Sequence, residues 1–129
     1  MRRFLVPILL GLTMLACTNS KENQCAAIRK AIRAEMVATK EVASKMRDPQ
    51  ALGAHAEFLT TTISGLRKLE IKDPALKQAV VTYSNAVEKL AEGYQAAGDK
   101  LPGPGSELMI YGTIVDSSRI RIADECNLP

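Results

Sequence analysis

The chain has 129 residues, 47% hydrophobic, 24% charged and 4% aromatic, with no tryptophan, a balance that excludes a disordered chain and suits one globular domain. Seventeen Lys and Arg against fourteen Asp and Glu give a net charge of +3. Two of the positives, Arg2 and Arg3, fall in a leader, and the remaining 15 against 14 leave +1, too little for an electrostatic nucleic-acid binder.

Arg2 and Arg3 precede a run of about thirteen mostly apolar residues, Phe4 to Ala16, that stops at Cys17. A positive stub followed by a short apolar stretch is the pattern of an export signal. The run is shorter than the roughly 20 residues that cross a bilayer, and Pro7 and Gly11 interrupt it, which disfavours a permanent transmembrane helix. Met14-Leu15-Ala16-Cys17 resembles the lipobox of bacterial lipoproteins. The resemblance implies that residues 1–16 are a signal peptide removed by the lipoprotein signal peptidase. It also implies that Cys17 becomes the mature N-terminus, carrying diacylglyceryl and acyl chains such as palmitate. Thr18, where an Asp would follow in lipoproteins retained at the inner membrane, implies an outer-membrane anchor facing the periplasm. The alternative is plain secretion with cleavage after Ser20, where Thr18 and Ser20 supply the small residues. On the lipoprotein reading residues 17–24 are a tether and residues 25–126 the folded domain, with an unidentified protein as partner.

Three cysteines divide into the lipidated Cys17 and a pair, Cys25 and Cys126, available for one disulfide in an oxidising compartment. There is no CxxC, and His55 is the only histidine, so a structural metal site has too few ligands.

Four amphipathic helices follow in order. From Cys25 to Arg47, Ile28, Ile32, Met36, Val42 and Met46 recur at near-helical intervals, with Thr39 bridging the one long step. Asp48-Pro49 is an N-cap with a first-turn proline, and Leu52, Ala56, Leu59, Ile63 and Leu66 form the next stripe, to about Glu70. Asp73-Pro74 repeats the signal ahead of Leu76, Val80, Tyr83, Val87, Leu90, Tyr94 and Ala97, closed by Gly98. Gly98 to Gly105 reads as a loop, with Ser106 as the next cap. Met109 to Val115 is β-branched, but no second strand exists to pair with it, so the last element is a helix presenting Leu108, Tyr111, Val115, Ser118, Ile122 and Cys126 on one face.

These elements predict an all-α, up-down-up-down antiparallel four-helix bundle with near-aligned helices. Cys25 opens the first helix and Cys126 ends the last. Only an even number of antiparallel helices brings them to one end, within the ~7 Å between Cα atoms that a disulfide requires.

Functional motifs are sparse. The segment after Cys25 reads Ala-Ala-Ile-Arg, not the C-x-x-C-H of covalent haem attachment. Non-covalent haem would need His55 with Met36 or Met46, but a lone histidine near a helix start reads as solvated and the methionines as core filler. Paired Glu-x-x-His motifs, a phosphate-binding glycine loop, a nucleophile elbow and HExxH are all missing, and Ser117-Ser118 has no histidine nearby, so the chain reads as non-enzymatic, without a cofactor. Asp116, Arg119, Arg121 and Asp124 read as a solvated helix surface, and Thr60 to Thr62 as flanking a stripe. The Leu101-Pro102-Gly103-Pro104-Gly105 loop, at the end away from the anchor, is the candidate partner site, because its prolines restrict the backbone and Leu101 offers an apolar contact. The reading that follows is a small helical interaction or structural module on a membrane anchor. The alternative is a carrier or sensor of a small apolar ligand or haem, in a cavity lined by Tyr83, Tyr94 and Tyr111.

Overall fold

The computed structural model describes residues 20–99 and 104–126. Its elements are α1 (Lys21–Ala43), α2 (Pro49–Arg67), α3 (Pro74–Gly98) and α4 (Pro104–Glu125). Together they form an antiparallel four-helix bundle closed by the Cys25–Cys126 disulfide.

α1, α2 and α3 each start where a side chain satisfies otherwise orphaned backbone N–H groups. The Asp48 carboxylate accepts from the N–H of Gln50 and of Ala51, Asp73 accepts from Leu76 N–H at 2.9 Å, and Pro49 and Pro74 take the first positions. Four boundaries differ from the sequence reading, one of them the end of α1, at Ala43 rather than Arg47. Ser20 Oγ accepts from Asn23 N–H at 3.2 Å, so α1 begins at Lys21 and residues 21–24 are its first turn rather than tether. A tight turn at Lys68 ends α2 at Arg67 instead of near Glu70. The last helix opens at Pro104, a residue type suited to the first helical position, and Ser106 falls within the helix rather than ahead of it.

The predicted stripes of α2 and α3 are the core. Leu52, Ala56, Leu59, Ile63 and Leu66 face Leu76, Val80, Tyr83, Val87, Leu90 and Tyr94, all buried, and Val115, Ser118 and Ile122 of α4 are buried beside them. α3 is the central element, packed along its length against both α2 and α4. Gly93 permits one close approach, since a methyl there would lie 2.8 Å from Leu108 Cδ2.

The topology is visible at both ends. At one end the disulfide joins α1 to α4 with Cα atoms 5.9 Å apart, Gln24 Nε2 donates to the Glu70 carbonyl, and Lys21 Nζ lies 3.6 Å from Asp73 Oδ1. At the other end α3 meets the start of α2, where a methyl on Gly98 would lie 3.1 Å from the Pro49 carbonyl oxygen.

α1 departs most from expectation. It buries Gln24, Cys25, Ile28, Glu35 and Val42, whereas Met36 is 49% exposed and Met46 lies beyond the helix in the turn. Ile28, Glu35 and Val42 are seven residues apart, two full turns each time, so they share a face that excludes Met36. Met46 and Met109 are also exposed, so these three methionines do not fill the core. With two polar residues among five buried ones, α1 is packed more thinly than α2, α3 or α4 and is flanked by open grooves.

Candidate functional site

Glu35 is the most unusual residue of the bundle: it is fully buried and is met by side chains from two other helices. Its Oε1 accepts from Tyr83 Oη of α3 at 2.9 Å, and from Arg119 Nε and Nη2 of α4 at 3.1 and 2.6 Å. Its Oε2 accepts from Arg119 Nη2 at 2.7 Å and from Thr39 Oγ1, one turn along α1, at 2.9 Å. Arg119 also donates from Nη1 to Asp116 on its own helix. One carboxylate therefore ties α1 to both α3 and α4 through charge-assisted hydrogen bonds.

The surrounding electrostatics follow from this arrangement. Burial, and then the Glu35 charge, push the Tyr83 hydroxyl far above the usual tyrosine range, so it stays a protonated donor. Burial opposes the charge of Arg119, but its hydrogen bonds to Glu35 together with the negative charges of Glu35 and Asp116 outweigh that and hold its pKa above the ordinary arginine value. Both Glu35 oxygens are occupied by donors. The chemistry this cluster supports is positional: rotating α1 or shifting it by a turn would leave a buried carboxylate and a largely buried guanidinium unpaired.

His55 of α2 lies close enough to feel the Glu35 charge. It is only 5% exposed, edge-on to Tyr94 with ring centroids 4.6 Å apart and stacked at 6.5 Å on Phe58, and its Nε2 is buried with no hydrogen-bond partner. The expectation of a solvated His55 is thus corrected. It sits three residues after Leu52 and four before Leu59, on the buried stripe itself.

Burial holds the His55 pKa below 6.5, with Glu35 pulling more weakly the other way. The unfolded chain takes up a proton near pH 6.5 while the folded imidazole resists it. Stability from this group is therefore complete above the unfolded pKa and declines as pH falls below 6.5, by up to about 1.4 kcal/mol per pH unit. His55→Leu should remove this component. Urea denaturation at about pH 7 and about pH 5 checks it: wild type should lose more stability than the variant, and identical losses would contradict the assignment.

The other predicted positions fall as follows. Cys25 and Cys126 are joined, S–S 2.01 Å. Cys17, Leu101, Pro102 and Gly103 lie outside the described residues, and Pro104 and Gly105 belong to the first turn of α4. Arg119 is not on a solvated surface, because its side chain is 20% exposed and bound to Glu35; Asp124 and Arg121 are exposed as expected. Thr60, Thr61 and Thr62 return their hydroxyl hydrogens to backbone carbonyls four residues back. Tyr83 and Tyr94 fill the core instead of lining a cavity. Four grooves among the described residues, of about 600, 610, 570 and 520 Å3, are open to the surface, and Tyr83, Tyr94 and Tyr111 line none of these four.

Sequence reasoning missed Glu35 and the role of Arg119, although a signal existed. Glu35 stands ten residues inside Cys25 and Arg119 seven inside Cys126. At 1.5 Å per residue those heights differ by about 4.5 Å, within reach of an arginine side chain.

Among the described residues, no group of three or more His, Cys, Asp and Glu is placed to hold a metal ion, and no helix is long and apolar enough to cross a membrane. Compared with known proteins, the chain matches no family model, no curated protein and no solved structure.

Proposed function

We infer that this chain is an outer-membrane lipoprotein, anchored through acylated Cys17, whose disulfide-closed helical bundle serves as a small interaction or structural module in the periplasm. The observation that supports it best is the Cys25–Cys126 disulfide, a bond suited to an oxidising compartment, set at the end of the bundle from which the leader emerges. The lipobox-like Met14 to Cys17 segment supplies the anchor.

Because α1 starts at Lys21, four residues after Cys17, the reach from anchor to helix is at most about 14 Å. The disulfide end and the 68–73 turn then stay beside the bilayer, and the 44–48 turn and the connection from α3 to α4 face outward. More than one acyl chain holds such a domain stably, at about 0.8 kcal/mol per buried CH2.

Cys17→Ser should move the protein out of the membrane fraction while leaving the bundle folded. Retention of the variant on membranes at the wild-type level would defeat the anchoring reading.

A further inference from the structure

The groove between α1 and α4 combines an apolar floor with cations that make no ion pair among the described residues. Ile32 and Met36 from α1 and Ile120 and Ala123 from α4 line it, in a volume of about 610 Å3. Ile120 is 64% exposed, a large apolar side chain left open on the surface. Arg29 and Arg33 stand on the α1 side one helical turn apart, and neither makes an ion pair among the described residues. Arg29 Nε is buried without a hydrogen-bond partner. Of the acids at hand, Asp116, which also lines the groove, is paired with Arg119, and Glu35 is occupied by Arg119, Tyr83 and Thr39.

We propose that this groove binds a single-chain fatty carboxylate, with its head paired to Arg29 and Arg33 and its alkyl chain laid along Ile32, Met36 and Ile120. Charge selects an anion, and the paired guanidinium groups suit the two oxygens of a carboxylate. The apolar floor demands that the anion carry a hydrocarbon tail. From Arg29 to Met36 the groove runs about 10 Å, at 1.5 Å per residue, room for a chain of medium length. Its width is set at one end by the disulfide and further along by the Glu35–Arg119 pair, so α1 and α4 are held from spreading to admit a bulkier lipid. A second copy of the chain is the wrong occupant, because its own Arg29 and Arg33 would meet these two. Binding here uses no part of the anchor.

The test is photolabelling with a diazirine-bearing dodecanoate, on the protein as isolated, with crosslinked positions mapped by peptide mass spectrometry. Label should fall on α1 near Met36 and on α4 near Ile120, and be displaced by unlabelled dodecanoate but not by acetate or dodecyltrimethylammonium. Arg29→Glu with Arg33→Glu should reduce labelling about tenfold or more, and Ile120→Asp, at an exposed position, should do the same with the helical spectrum unchanged. Labelling that persists in both folded variants, or equal displacement by the cationic amphiphile, would overturn the proposal. So would displacement by an acidic amphipathic peptide but not by dodecanoate, which would reassign the groove to a protein. Since labelling is read at the groove whether or not Cys17 is acylated, failure here and failure of the anchoring reading are separable.

Discussion

Replacing Arg119 with methionine should lower the free energy of unfolding by about 3 kcal/mol, the low end of the range for removing one partner of a buried ion pair, since Arg119 keeps some contact with water. The cause is what remains behind: Glu35, fully buried, loses its only cationic partner among the described residues and keeps the Tyr83 and Thr39 hydroxyls. Urea denaturation gives the value directly. Glu35→Leu combined with Arg119→Met should recover part of the loss, because apolar groups replace the buried pair at little net cost, while the buried Tyr83 hydroxyl is left without its acceptor. The double variant should instead lose definition of α1, whose remaining buried apolar contacts are Cys25, Ile28 and Val42, and its amide resonances should broaden relative to those of α3. If Arg119→Met changes stability by less than about 1 kcal/mol, the pair is a surface ornament and the positional role is wrong.

Reduction of the Cys25–Cys126 bond should have the other large effect. The bond closes a loop of 101 residues, and the loss of chain entropy in the unfolded state is worth about 4.7 kcal/mol on that treatment. For a domain with a total stability in the usual range of about 5–15 kcal/mol, this is a large share. Helical content at room temperature should persist after reduction, because the core of α2, α3 and α4 is independent of the bond, while the urea midpoint drops sharply. The loss should concentrate in α1, the thinly packed helix, which also depends on Arg119 for its placement. Equal hydrogen-exchange protection of α1 in the oxidised and reduced protein would contradict that coupling.

The faces of α2 and α3 are legible in the sequence because an uninterrupted 4-3 rhythm of apolar residues admits one buried side, and the bundle's even helix count follows from where the two cysteines fall. Helix starts at Asp48-Pro49 and Asp73-Pro74 are legible for the same local reason: cap and proline are adjacent in the chain. α1 was harder because its buried face runs through Glu35, and a carboxylate is a core residue only when a cation arrives from elsewhere, here from 84 positions away. Met36 took its place in the apparent stripe. The burial of His55 is not legible from its polarity, only from its position between Leu52 and Leu59, and no hydrogen bond to Nε2 rewards that position. Nothing local marks the Arg29–Arg33 groove, which exists only once α4 is laid beside α1.

The most direct measurement of the central claim is mass spectrometry of the protein extracted from its native membranes without reductant, with its N-terminal peptide sequenced. An N-terminus at Cys17 bearing acyl chains, together with no alkylatable thiol on Cys25 or Cys126 after unfolding, is the predicted result. An unmodified N-terminus at Met1 or Lys21, or free thiols on both cysteines, would contradict it.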